Sequence, residues 1–88
     1  MVFLEIDGTK IGSTSPTYFI AEAGLNHNGK IDLAKKMIDE AYNAGADAIK
    51  FQTYKSESFL SSSSQYFDFF KNVELSFEEF KELSLIHI

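Results

Sequence analysis

The sequence has 88 residues, 44% of them hydrophobic, and a net charge of −5, which suits one small globular unit with a limited core. Its eight lysines are scattered and arginine is absent, so the charge argues against a general nucleic-acid binder. No cysteine is present for a disulfide or thiolate metal site, which fits a reducing cytoplasm. No apolar run approaches the ~20 residues of a membrane helix, and the N-terminus lacks the basic start and apolar core of a signal peptide.

The chain opens with "VFLEIDGTKIG", two short β-rich runs flanking Asp7-Gly8. Asp-Gly tolerates positive φ, so a hairpin with a type I′ turn is expected over 2–12. Residues 13–16 connect it to a strand, "TYFIAEAG" over 17–24, whose apolar content on both faces suggests cover on both sides. Asn28-Gly29 marks a turn. In "DLAKKMIDEAYNAG", Leu33, Ala34, Met37, Ile38 and Ala41 then fall on one helical stripe. Asp32 suits the helix start, by capping or through the dipole, and Gly45 suits its left-handed stop. "ADAIKFQTY" over 46–54 is the next strand. Strand–helix–strand over 17–54 is a βαβ unit, with its two strands parallel.

Residues 55–65 read as a mobile serine-rich loop. "YFDFF" fits either a helical turn or a strand. In "ELSFEEF", Ser76 and Glu79 form a capping box and open a second helix. The terminal "LSLIHI" leaves the charged pattern and looks like the translation of a sequencing-library adaptor. Residues 1–83 are accordingly taken as one unit and 84–88 as a non-native tail in which His87 carries no function. The alternative is a native hydrophobic terminus.

Strand alternation points to the chemistry. Phe19, Ala21 and Ala23 share one face of the first strand, and Ile20, Glu22 and Gly24 the other. On the second strand Ile49 and Phe51 oppose Ala48, Lys50 and Gln52. In a parallel α/β barrel the apolar faces meet helices, while polar groups at the C-terminal strand ends point into the mouth, where active sites sit. Glu22 and Lys50 on adjacent strands can then meet. The bland alternative is a buried ion pair, but desolvation makes such pairs poor stabilisers. Lone His27 in a polar loop is more often a hydrogen-bonding residue than a base or ligand. Asn26 and Asn28 can shape the turn, and Gly29 could admit a phosphate to the helix start.

The segment "IAEAGLNHNGKIDLAKKMIDEAYNAGADAIKFQTYK" resembles the N-terminal part of the N-acetylneuraminate (sialic acid) synthase family. The hairpin and "ELSFEEFKEL" extend that likeness over residues 1–83. The resemblance implies the N-terminal part of a TIM (β/α)8 barrel, preceded by a β-hairpin and truncated after the second strand and the start of the second helix. It implies condensation of phosphoenolpyruvate with N-acetylmannosamine, with a divalent metal (manganese or magnesium) polarising the aldehyde. By similarity Glu22 is the catalytic carboxylate handling water or a hydroxyl proton. Lys50 holds phosphoenolpyruvate, Gln52 bonds the sugar, and Asn26 and His27 support substrate binding. The family's metal-binding histidines belong to later strands, and its homodimer needs a C-terminal domain, so this chain is expected to lack the metal site and to be inactive alone. The alternatives are a legionaminic or pseudaminic acid synthase, another phosphoenolpyruvate-condensing barrel, or a small non-catalytic anion- or sugar-binding module.

Overall fold

A computed structural model describes residues 3–85 of the chain. Strands β1 (Phe3–Ile6) and β2 (Thr9–Gly12) pair antiparallel across Asp7-Gly8, both of which have positive φ (48° and 83°). This is the geometry a type I′ turn requires. Leu4 faces Ile11 across the ladder and Glu5 faces Lys10, and Lys10 Nζ lies 5.0 Å from the Phe3 ring centre.

Strand β3 (Ile20–Gly24), helix α1 (Ile31–Asn43) and strand β4 (Ala48–Phe51) form the βαβ unit, with β3 and β4 parallel. Both strands are shorter than the sequence suggests. Asp47 ties their starts together instead of extending β4: its Oδ2 accepts the Phe19 N–H at 2.8 Å, and its own N–H donates to the Phe19 carbonyl at 2.9 Å. The expectation that β3 is covered on both sides is also corrected. Ala23 is buried beneath the helices, whereas Phe19 and Ile20 are exposed among the described residues.

Helix α1 starts without a side-chain cap. Lys30 occupies the capping position and makes no such bond, so Asp32 acts in the first turn through the helix dipole alone. The helix ends in a Schellman motif: Ala46 N–H donates to the Ala41 carbonyl and Gly45 N–H to the Tyr42 carbonyl, with Gly45 at φ 88°. Ala34 and Ile38 of its apolar stripe are fully packed, together with Leu75 and Leu83. Ile31, Ile49, Phe51 and Phe80 flank this core.

Within the expected loop 55–65, residues 56–59 are helical, while the four serines 61–64 lie outside any helix or strand. Ser56 opens a one-turn helix, α2 (Ser56–Phe59), and is completely buried. The cause lies 18 residues on, where Glu74 Oε1 accepts both the Ser56 N–H (2.8 Å) and the Ser56 hydroxyl (2.9 Å). Lys71 bridges Glu74 and Glu57. "YFDFF" resolves as helix α3 (Phe67–Asn72), whose Phe70 ring packs edge-on against Tyr54, Phe59 and Phe69. The Tyr54 hydroxyl donates to the Phe70 carbonyl. Burial pushes that phenol up, and the Glu74 charge adds to the effect.

Helix α4 (Phe77–Ser84) begins with the expected capping box: Ser76 Oγ accepts Glu79 N–H while Glu79 Oε1 accepts Ser76 N–H. Lys35 and Glu82 form an ion pair between α1 and α4. Ser84 closes α4, its hydroxyl donating to the Lys81 carbonyl, and Leu85 follows as the exposed cap. The rest of the expected tail, including His87, lies outside the described residues. Among the described residues no helix is long and apolar enough to cross a membrane.

Two expectations follow from this packing. Glu74→Ala leaves the Ser56 donors buried without their acceptor, at a cost of about 2–3 kcal/mol, read as a lower urea midpoint. The Ser56 N–H bond is the main reason the Glu74 carboxyl is held below its ordinary 4.5. Its contribution is therefore complete above pH 4.5 and lost as pH falls below that value; in Glu74→Ala this acid loss should be smaller.

The second concerns the chain alone. Its radius of gyration is 15.8 Å, against about 12 Å for a compact domain of this length. Phe19, Ile20, Phe59, Phe69 and Phe77 are all more than half exposed. The isolated chain should therefore be marginally stable or aggregation-prone. A sharp cooperative thermal transition of a soluble monomer, followed by circular dichroism, contradicts this.

Candidate functional site

The C-terminal ends of β3 and β4 build the site. Glu22 and Lys50 are register partners, so their side chains leave the sheet on the same face. Lys50 Nζ lies 3.2 Å from Glu22 Oε2. The register then shifts between Glu22 and Gly24, and Gly24 pairs with Phe51 at φ 55°. Such a bulge re-aims neighbouring side chains and is common beside functional sites. Gly24 is the floor of the cluster: a Cβ there would lie 3.6 Å from Glu22 Oε1 and 3.7 Å from Gln52 Oε1. A carboxylate and an amide thus meet over one glycine, and the Lys50 ammonium joins them through its ion pair with Glu22. The sequence placed Gly24 on this face but gave no sign that it forms a floor.

Burial corrects the energetic premise. The Glu22 and Lys50 side chains are 56% and 62% exposed, so the pair is open rather than buried. An exposed pair contributes about 0–1 kcal/mol, and desolvation gives no ground for preferring a functional role here. What favours a role is convergence: three polar side chains with complementary hydrogen-bonding capacity share one open surface at the strand ends.

Asn26 and His27 stand apart from that cluster. The Asn26 amide donates to the Ala23 carbonyl at 3.0 Å, which shapes the turn after β3. His27 is completely buried beside Phe51, a residue of the helix-covered face, at a ring separation of 6.2 Å. Its Nδ1 accepts the Gly29 N–H at 3.0 Å. Burial draws its pKa below 6.5, opposed by the Glu79 carboxylate. Gly29 serves packing: at φ 74°, a Cβ on it would sit 2.7 Å from the Asn72 carbonyl oxygen. Among the described residues no group of three or more His, Cys, Asp or Glu could hold a metal ion.

The shared face at the end of a parallel strand pair can be set beside known proteins. A family model described as the NeuB family matches residues 37–86. The chain belongs to the NeuB family. An uncharacterised protein of Methanocaldococcus jannaschii is 52% identical over 80 residues, covering 91% of this chain and 24% of that protein. An N,N′-diacetyllegionaminic acid synthase of Legionella pneumophila is 42% identical over 69 residues, covering 77% of this chain and 19% of the enzyme. Among solved structures, the N-acetylneuraminic acid (sialic acid) synthetase of Leptospira borgpetersenii superposes with a TM-score of 0.85 at 42% identity. That match covers 94% of this chain and 29% of the synthetase. This NeuB-family chain therefore covers between about an eighth and a quarter of the length of the curated relatives it matches.

Proposed function

We propose that the chain is the N-terminal part of a TIM-barrel synthase that condenses phosphoenolpyruvate with N-acetylmannosamine, giving N-acetylneuraminate and phosphate. The observation that carries this reading is the convergence of Glu22, Lys50 and Gln52 at the C-terminal ends of two parallel strands, the end at which such barrels do their chemistry. In the reaction, the methylene carbon of phosphoenolpyruvate forms a bond to the aldehyde carbon of the open sugar. The aldehyde oxygen takes up a proton and becomes a hydroxyl. The cationic carbon left behind takes up water, which gives up one of its protons. The carbon–oxygen bond to phosphate then breaks, leaving a ketone, while the second water proton leaves with the phosphate. Lys50 suits the carboxylate and phosphate charges of phosphoenolpyruvate. Glu22 supplies a carboxylate suited to taking the water's proton. Gln52 offers both a donor and an acceptor to a sugar hydroxyl.

A divalent metal polarises the aldehyde in the reading drawn from the resemblance. The described residues do not fit such an ion. The test is phosphate release by a full-length protein carrying this segment, supplied with phosphoenolpyruvate and N-acetylmannosamine. Release without this sugar but with another amino sugar moves the assignment to a sister synthase, and the Legionella pneumophila relative gives that second reading its support.

An incomplete site should also bind poorly. Calorimetric titration of phosphoenolpyruvate into the 88-residue chain is expected to give no saturable heat, corresponding to a Kd weaker than about 1 mM. Saturable binding by the folded chain favours the free-standing binding module instead.

A further inference from the structure

His27 is the buried titratable group, among the described residues, that the chemistry above leaves unused. It sits in a loop built from successive turns: Asn26 N–H donates to Ala23, Asn28 N–H to Leu25 and Lys30 N–H to His27, all main chain to main chain. The Gly29 N–H goes instead to the His27 ring. This bond spans two residues, as an Asx turn does, with an imidazole nitrogen in place of a carboxamide oxygen. An acceptor nitrogen must carry a lone pair, so Nδ1 is unprotonated and the single proton of the neutral ring resides on Nε2. Nε2 is buried with no hydrogen-bond partner among the described residues. Phe51 of β4 lies beside the ring, and the charged group that acts on it is Glu79 of α4, whose carboxylate already accepts the Ser76 N–H. On the other side of the same turn, Gly29 rests on the backbone of Asn72 and Val73.

We propose that His27 is a positioning residue that clamps the β3–α1 turn as an uncharged Nε2–H imidazole, without touching substrate. A protonated ring has a donor at both nitrogens and cannot accept the Gly29 N–H, so acid opens the clamp. The turn follows directly on the strand end that carries Glu22 and Gly24. That link to the carboxylate rests on the functional reading above; the clamp itself does not.

The test is nitrogen-15 NMR of the 88-residue chain, held folded in a stabilising osmolyte as judged by a dispersed amide spectrum, with amide exchange read at Gly29 and His27→Asn and His27→Phe as variants. His27 should show the Nε2–H tautomer and should not titrate at its ordinary 6.5. Asn keeps an acceptor for the Gly29 N–H, so His27→Asn should retain its slow exchange. Phe keeps the ring volume without an acceptor, so His27→Phe should speed that exchange about fivefold to tenfold. An Nδ1–H tautomer, an ordinary titration of His27, or equal Gly29 exchange in the Asn and Phe variants each overturns the clamp. Because no phosphoenolpyruvate is present, failure here is distinct from failure of the synthase assignment.

Discussion

In a full-length protein carrying this segment, Glu22→Gln should lower kcat by about 10²–10⁴-fold while changing the KM for phosphoenolpyruvate far less. The amide keeps the size and some hydrogen bonding of the carboxylate but cannot take a proton from the attacking water. Lys50→Ala should do the reverse, chiefly raising the KM for phosphoenolpyruvate. It removes a cation whose attraction to carboxylate and phosphate is already present in the ground state. The two side chains are register partners 3.2 Å apart, so their effects should not add in the double variant. The check is steady-state kinetics with phosphoenolpyruvate varied at saturating sugar. If each single variant keeps near wild-type kcat and KM, the site assignment is removed.

The largest expected effect on stability belongs to Gly29→Ala. Two costs combine there. The residue occupies φ 74°, where an L side chain is strained by about 1–3 kcal/mol. The new methyl would also meet the Asn72 carbonyl oxygen at 2.7 Å, an atom of rigid backbone rather than the end of a flexible side chain. Gly45→Ala is the matched control, since it has φ 88° with nothing within 4 Å of its Cβ position and incurs only the conformational cost. Gly29→Ala should therefore lose at least ~3 kcal/mol and Gly45→Ala about 1–2 kcal/mol. Urea unfolding in a stabilising osmolyte keeps the comparison measurable in a marginal chain. Equal losses at the two glycines contradict the packing of this loop against residues 72–73.

Acid behaviour should separate the two titratable structural groups. His27 is depressed below 6.5, so its folded form binds protons less readily than the unfolded chain, and its contribution fades as pH falls below that value. Glu74 adds a second loss below 4.5. In His27→Asn the first loss should vanish and the second remain.

Local chemistry was legible wherever neighbours in sequence are neighbours in space. Asp7-Gly8, the α1 stripe, Gly45 and the Ser76–Glu79 box each act over a few residues, and each element formed where its pattern placed it. Strand alternation likewise put Glu22, Lys50 and Gln52 on one face. What escaped depends on distant partners. Ser56 is buried because of Glu74, 18 residues away, and nothing in a serine-rich stretch signals that acceptor. The openness of the Glu22–Lys50 pair depends on what covers the sheet, which two strands do not specify. His27 looked like a polar loop residue because its burial beside Phe51 depends on a partner distant in sequence, while its side-chain bond, to Gly29, is too generic to stand out.

The most direct measurement is a structure of a full-length protein carrying this segment, with phosphoenolpyruvate bound. The Lys50 ammonium should contact the ligand's carboxylate or phosphate, with the Glu22 carboxylate and Gln52 amide opening into the same hollow above Gly24. Phosphoenolpyruvate seated away from these strand ends, or Glu22 and Lys50 on opposite faces of the sheet, contradicts the account.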